Sequence, residues 1–128
     1  MTIKDRSISI DPASYTMTVG EPQTVTSPSL PPPDGQRQMV FPISLKVTKG
    51  RLTVASSVSF AVYGSNGNLC QVALTPDNRQ DFFVAGADAG ASGKGVVSAV
   101  VPEGMTEFTV VYYGLEGAER EKPLAAWK

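Results

Sequence analysis

The chain contains no histidine. That absence removes Ser-His-Asp and Cys-His catalytic sets and every metal site built on imidazole. Cysteine occurs once, at Cys70, which excludes an intramolecular disulfide and the paired-cysteine metal or redox motifs. Without a neighbouring imidazole to make thiolate, Cys70 reads as a small buried hydrophobe on a strand, not a nucleophile. An excess of positive charge is also lacking. The formal net charge is -1, and the basic residues are scattered, with no window that concentrates them with aromatics, so nucleic acid is not an expected partner. The longest apolar runs, such as 96–101, are far too short to cross a bilayer, and no transmembrane segment is expected. The opening Met1-Thr-Ile-Lys-Asp-Arg has no apolar core or small-residue cleavage site, so no signal peptide is expected in this chain.

What remains is an ordinary globular balance in 128 residues, 41% hydrophobic and 18% charged. That is the size of one domain able to bury a sizeable core, and 1–128 is read as such. From Met39 onward the chain alternates with period two, the pattern of half-buried strands. Met39, Phe41, Ile43, Leu45 and Val47 take one face; Val40, Pro42, Ser44, Lys46 and Thr48 take the other. Tyr15, Met17 and Val19 alternate earlier, and Val97, Ala99, Val101 and then Phe108, Val110, Tyr112 later. No stretch of ten or more residues carries a helical period. The expected fold is therefore all-β, an antiparallel immunoglobulin-like β-sandwich. Its predicted core includes Phe41, Ile43, Leu45, Phe60, Val62, Val72, Val110 and Tyr112. Four prolines interrupt the segment 26–37, which reads as a stiff connection, since proline cannot donate to a strand ladder. Pro123-Leu-Ala-Ala-Trp127 reads as a final strand, its tryptophan packed against the sandwich.

Gly64-Ser-Asn-Gly-Asn68 is the strongest hairpin signal. A two-residue Asn66-Gly67 turn would set Tyr63 opposite Cys70 and mix inward with outward faces. Matching Val58, Phe60 and Val62 to Leu74, Val72 and Cys70 requires an odd loop. Ser65-Asn66-Gly67, with Gly67 left-handed, satisfies both register and turn chemistry.

The segment from Met39 onward resembles the telokin-like, immunoglobulin-fold domains of secreted or lipid-anchored proteins of mycobacteria and other Gram-positive bacteria. The resemblance rests on Ser59-Phe60 leading through Asn66-Gly67, the glycine-rich run 90–95, Val97-x-Ala99-x-Val101-Pro102, an aromatic-bearing strand and Trp127. It covers about two-thirds of the chain. It implies an exported or envelope-associated sandwich and no established chemistry. Three departures are Ala89-Gly90 where Pro-Gly is common, Ala99 where phenylalanine is common, and the absence of a lipobox cysteine to carry an anchor.

Tests for chemistry return little. In the glycine-rich segment 86–95, Asp88 and Gly95 stand where a phosphate loop needs glycine and Ser or Thr. A Ser92-Lys94 dyad would need a desolvated lysine, which a glycine-rich turn does not provide. Asp77, Asp81 and Asp88 match no calcium-loop spacing, so solvated loop acids are expected and no metal or cofactor is predicted. The informative segment is 75–94, read as a long connection closed by mobile glycines. Phe82 and Phe83 are adjacent, so an extended backbone sends one inward and one outward. An exposed phenylalanine flanked by Arg79 and Asp81 has the composition of a binding hot spot. The expected function is that of a non-enzymatic, extracytoplasmic binding domain whose partner is a protein or cell-envelope component. The alternatives are a structural assembly module working through its strand edges and a carrier of a small apolar ligand.

Overall fold

The computed structural model describes residues 4–10, 13–25, 34–72, 79–113 and 125–127. The strands run β1 (Lys4–Ile10), β2 (Ala13–Val19), β3 (Gln23–Val25), β4 (Gln36–Ser56), β5 (Phe60–Gly64), β6 (Gln71–Val72), β7 (Phe83–Asp88), β8 (Ser92–Pro102), β9 (Phe108–Tyr112) and β10 (Ala125–Trp127). Among the described residues the one helical element is a 3-10 turn at Ser57–Ser59. One sheet has the order β1-β2-β4-β8-β6, with β3 and β7 also paired to β4; the other has the order β10-β9-β5. Every paired strand is antiparallel to its partner. The fold is an antiparallel β-sandwich.

The core forms where the alternating apolar faces of the two sheets meet. Tyr15, Met17 and Val19 of β2, Phe41, Ile43, Leu45 and Val47 of β4, and Val97, Ala99 and Val101 of β8 are buried on one side. Phe60 and Val62 of β5, Phe108, Val110 and Tyr112 of β9, and Trp127 of β10 are buried on the other. Edge-on ring pairs join the layers: Phe41 with Phe108 at 5.5 Å and Tyr15 with Tyr112 at 6.4 Å between centroids. Phe60 sits at the hub, 4.9 Å from Tyr112, 5.8 Å from Phe82 and 6.5 Å from Trp127. Such pairs each contribute about 0.5–1.5 kcal/mol beyond the area they bury. All the predicted core residues with described side chains are buried; the side chain of Val72 lies outside the described residues.

One long ladder shapes the rest. β4 pairs with β8 from Gln36↔Pro102 to Lys46↔Ser92, then with β7 from Arg51↔Asp88 to Ser56↔Phe83. The two arms are separated by Gly50 in the left-handed region at φ 73° and by a turn carrying Gly90 at φ 94°. Gly93 and Gly95 face inward, opposite Leu45 and Ile43. A Cβ on Gly95 would lie 2.5 Å from Phe82 Cα, and one on Gly93 would collide with Val84 Cγ2. The β7 arm therefore folds over the inner face of β8, and these glycines make room for it.

Three sequence expectations are corrected here. The 75–94 segment is not a long loop. Of it, 75–78 lie outside the described residues, Phe83–Asp88 is a strand, and Ser92 already belongs to β8. The glycines at 93 and 95 are sites of close approach within a strand, not sources of motion. Val58 does not face inward: β5 starts two residues later, and Val58 is 80% exposed on the 3-10 turn.

The predicted three-residue loop is present. Tyr63 bridges Leu69, Gly64 N–H donates to the Asn68 carbonyl at 3.0 Å, and Gly67 has φ 81°. The return strand leaves β5 after Cys70, however, and Val72 pairs with Ala99 of the opposite sheet. Residues 26–33 of the proline-rich connection, and Leu74, lie outside the described residues.

Candidate functional site

The parity of an extended chain sets the geometry around Phe82. Gln80 accepts from Val96 N–H at 2.9 Å, and Phe82 N–H donates to the Val96 carbonyl at 3.0 Å. Asp81 thereby forms a parallel bridge with Val96. On its other side the Phe82 carbonyl accepts from Ser57 N–H at 2.9 Å. With its backbone tied to β8 and to the 3-10 turn, the Phe82 ring is fully buried and edge-on to Phe60.

Phe83 is the next residue and points the opposite way. It is 62% exposed and pairs with Ser56 across the β4–β7 ladder. Val58 follows two residues after Ser56 and is exposed as well. An apolar ring and a β-branched side chain are thus presented from paired segments. Ser57 Oγ donates to Asp81 Oδ2 at 2.7 Å, which orients that carboxylate. Arg79 is exposed at the start of the segment. Of the four residues singled out in the sequence, Arg79, Asp81 and Phe83 lie on the surface, and Phe82 is a core residue that anchors them. Val58 and Ser57 were missed. The signal was available only as a break in parity at Ser56-Ser57, where the strand pattern runs into the 3-10 turn.

The other candidate chemistry is dispersed. Asp88 pairs with Arg51 at 3.0 Å on an exposed surface, and Asp81 is held by Ser57. Asp77 lies outside the described residues, and among the described residues no three acids, cysteines or histidines come together as a metal site. Ser92 and Lys94 are exposed on β8. Cys70 is buried, and burial pushes its thiol up, partly opposed by a backbone hydrogen bond with Gly64. A thiol held in its neutral form is a poor nucleophile.

Comparison with known proteins gives structural neighbours only. No family model matches the chain, and no curated protein matches it by sequence. The secreted protein MPT63 of Mycobacterium tuberculosis superposes with a TM-score of 0.67 at 13% identity, over 99% of this chain and 92% of that one. The ycdA protein of Bacillus subtilis, assigned to the lipoproteins, gives 0.67 at 15% identity over 88% of this chain. This chain spans only 34% of the length of ycdA. The yjhA protein of Bacillus subtilis gives 0.56 at 13% identity, covering 95% and 93% of the two chains. At such identities the likeness is one of fold: this β-sandwich is similar to those of a secreted and a lipoprotein-class protein.

Proposed function

We propose that this chain is a non-enzymatic, extracytoplasmic binding domain of the telokin-like, immunoglobulin-fold type, and that it engages a protein or envelope component through Phe83. The observation that carries this reading is the opposed pair Phe82 and Phe83. The first is locked in the core, and the second is held 62% exposed on a strand, two residues after Asp81 and four after Arg79, both exposed. A rigid aromatic anchor with a polar rim is the composition of a binding hot spot. The compartment is supported by the sandwich's similarity to a secreted protein and to a lipoprotein-class protein.

The test is retention of purified protein on isolated cell envelope and on secreted protein from a bacterium that encodes this chain. Phe83→Ala should reduce retention at least tenfold, a loss of about 1.4 kcal/mol or more, as expected of a hot-spot aromatic. Thermal unfolding of the variant should match that of the parent. Equal retention of parent and variant would refute the assignment of Phe83 as the anchor.

Assembly through strand edges is the second reading, and one observation favours it. Among the described residues β7 pairs only with β4, and a one-sided strand can add a partner strand. Concentration-dependent self-association, insensitive to Phe83→Ala, would support it over the first.

A further inference from the structure

The outer face of the larger sheet differs in character from the Phe83 surface. Strand register places Thr18 beside Ser44 and Ser44 beside Lys94; in the next row Thr16 stands beside Lys46 and Lys46 beside Ser92. Lysines and hydroxyls therefore alternate in a checkerboard across β2, β4 and β8. A depression of about 610 Å³ is lined by Thr16, Thr18, Ser44, Lys46, Ser92 and Lys94. It adjoins a second of about 480 Å³, which shares Thr18, Ser44 and Lys94 and extends to Arg79 and Gln80.

Among the described residues three cationic side chains line this groove and no acidic one does, in a protein whose net charge is -1. Neither lysine takes part in an ion pair among the described residues. Acids flank the groove at its two edges: Asp5, one strand beyond Thr18, accepts a hydrogen bond from Thr18 Oγ1 at 2.5 Å, and Asp81, bridged to Val96, accepts one from Ser57 Oγ.

We propose that this groove binds a phosphate-bearing glycan, an extended polymer of hydroxylated units joined or decorated by phosphate. Lys46 and Lys94 are diagonal neighbours on adjacent antiparallel strands, roughly 7–8 Å apart at their backbones, so they meet successive charges of one chain and not a single ion. Lysine is a compact charge that phosphate oxygens can approach from any direction. The intervening Ser and Thr hydroxyls both donate and accept, which suits phosphate oxygens and sugar or polyol hydroxyls alike. Nucleic acid fits less well, because among the described residues no aromatic lines the groove to stack a base. This inference shares Arg79 with the Phe83 reading and otherwise rests on different residues.

The experiment titrates the protein with a synthetic hexamer of glycerol phosphate, followed by backbone amide NMR. Inorganic phosphate, uncharged dextran and a single-stranded oligodeoxynucleotide of equal charge are run in parallel. The hexamer should bind saturably, shifting amides of residues 16–18, 44–46 and 92–95, and more salt should weaken it. The double variant K46T/K94T keeps strand-forming side chains and should lose tenfold or more in affinity. Phe83→Ala should bind the hexamer as the parent does. The proposal is overturned if the hexamer does not bind saturably or if K46T/K94T binds it unchanged. It is overturned equally if inorganic phosphate, dextran or the oligodeoxynucleotide binds as tightly.

Discussion

The Tyr15 and Tyr112 hydroxyls meet at 3.0 Å in the buried interior, one from each sheet, with their rings edge-on at 81°. A polar contact placed between two apolar layers fixes how the sheets sit on one another, because a shifted packing would separate the two hydroxyls in a medium that cannot hydrate them. Tyr15→Phe and Tyr112→Phe should each cost about 1 kcal/mol in denaturant unfolding. The double variant should cost less than the sum, since the shared bond is lost only once. Strict additivity would show that the two hydroxyls do not act as a pair.

Trp127 is the largest fully buried side chain. β10 pairs with β9, Trp127 stands opposite Val110, and Arg6 Nε donates to the Ala126 carbonyl at 3.1 Å. A chain end held this way is structural. Deleting Trp127 and Lys128 should cost about 3 kcal/mol, as for loss of a buried large aromatic. Unchanged unfolding after the deletion would contradict the packing.

Gly90 and Gly95 should respond differently to alanine. Gly90 has open space around it but φ 94°, so Gly90→Ala should cost about 1 kcal/mol of backbone strain. At Gly95 the obstacle is the backbone of Phe82, which cannot rotate away. Gly95→Ala should cost about 1–3 kcal/mol and broaden the NMR signals of residues 80–84. Retained signals and stability would mean that the β7 arm does not lie on β8.

Phe82→Ala should destabilise the domain by about 3–5 kcal/mol, the usual loss for a core phenylalanine. Phe83→Ala should stay within about 0.5 kcal/mol of the parent, as for a surface substitution. Denaturation midpoints of the two variants decide the matter, and similar losses would remove the distinction between anchor and surface ring.

Cys70 titrates as a group whose folded pKa is raised above its unfolded value, chiefly through burial. Its contribution to stability is therefore complete below the usual thiol value of about 8.5 and is lost as pH rises through the folded value. The stability difference between the parent and Cys70→Val should shift towards the variant above about pH 8.5. Alkylation of the folded protein should also be slow. A pH-independent difference would show that the thiol is not desolvated.

The strand parity of this chain is written locally. Phe41, Ile43 and Leu45 had to share a face because a pleated backbone alternates its side chains, and one face of each strand had to be buried. The odd loop at Ser65-Asn66-Gly67 followed from the same rule, with glycine supplying the left-handed residue. Opposed orientations for Phe82 and Phe83 followed too, although not which of them would be buried.

Other features depend on distant partners. Gly93 and Gly95 carry the same local information as glycines in a flexible turn, and only the β7 arm lying on them turns them into close-packing positions. Val58 alternates in step with Phe60 and Val62, yet Phe82 and Ser57 hold the chain in a 3-10 turn there and leave Val58 in solvent. The checkerboard of Lys46, Lys94 and hydroxyls joins residues far apart in sequence, so it exists only through the pairing of β2, β4 and β8. By itself, then, the sequence determined which side of each strand faces inward, since burial acts on every residue through its immediate neighbours. The tertiary structure decided what each surface meets and which face Phe82 closes, because those outcomes depend on strand pairing across the whole chain.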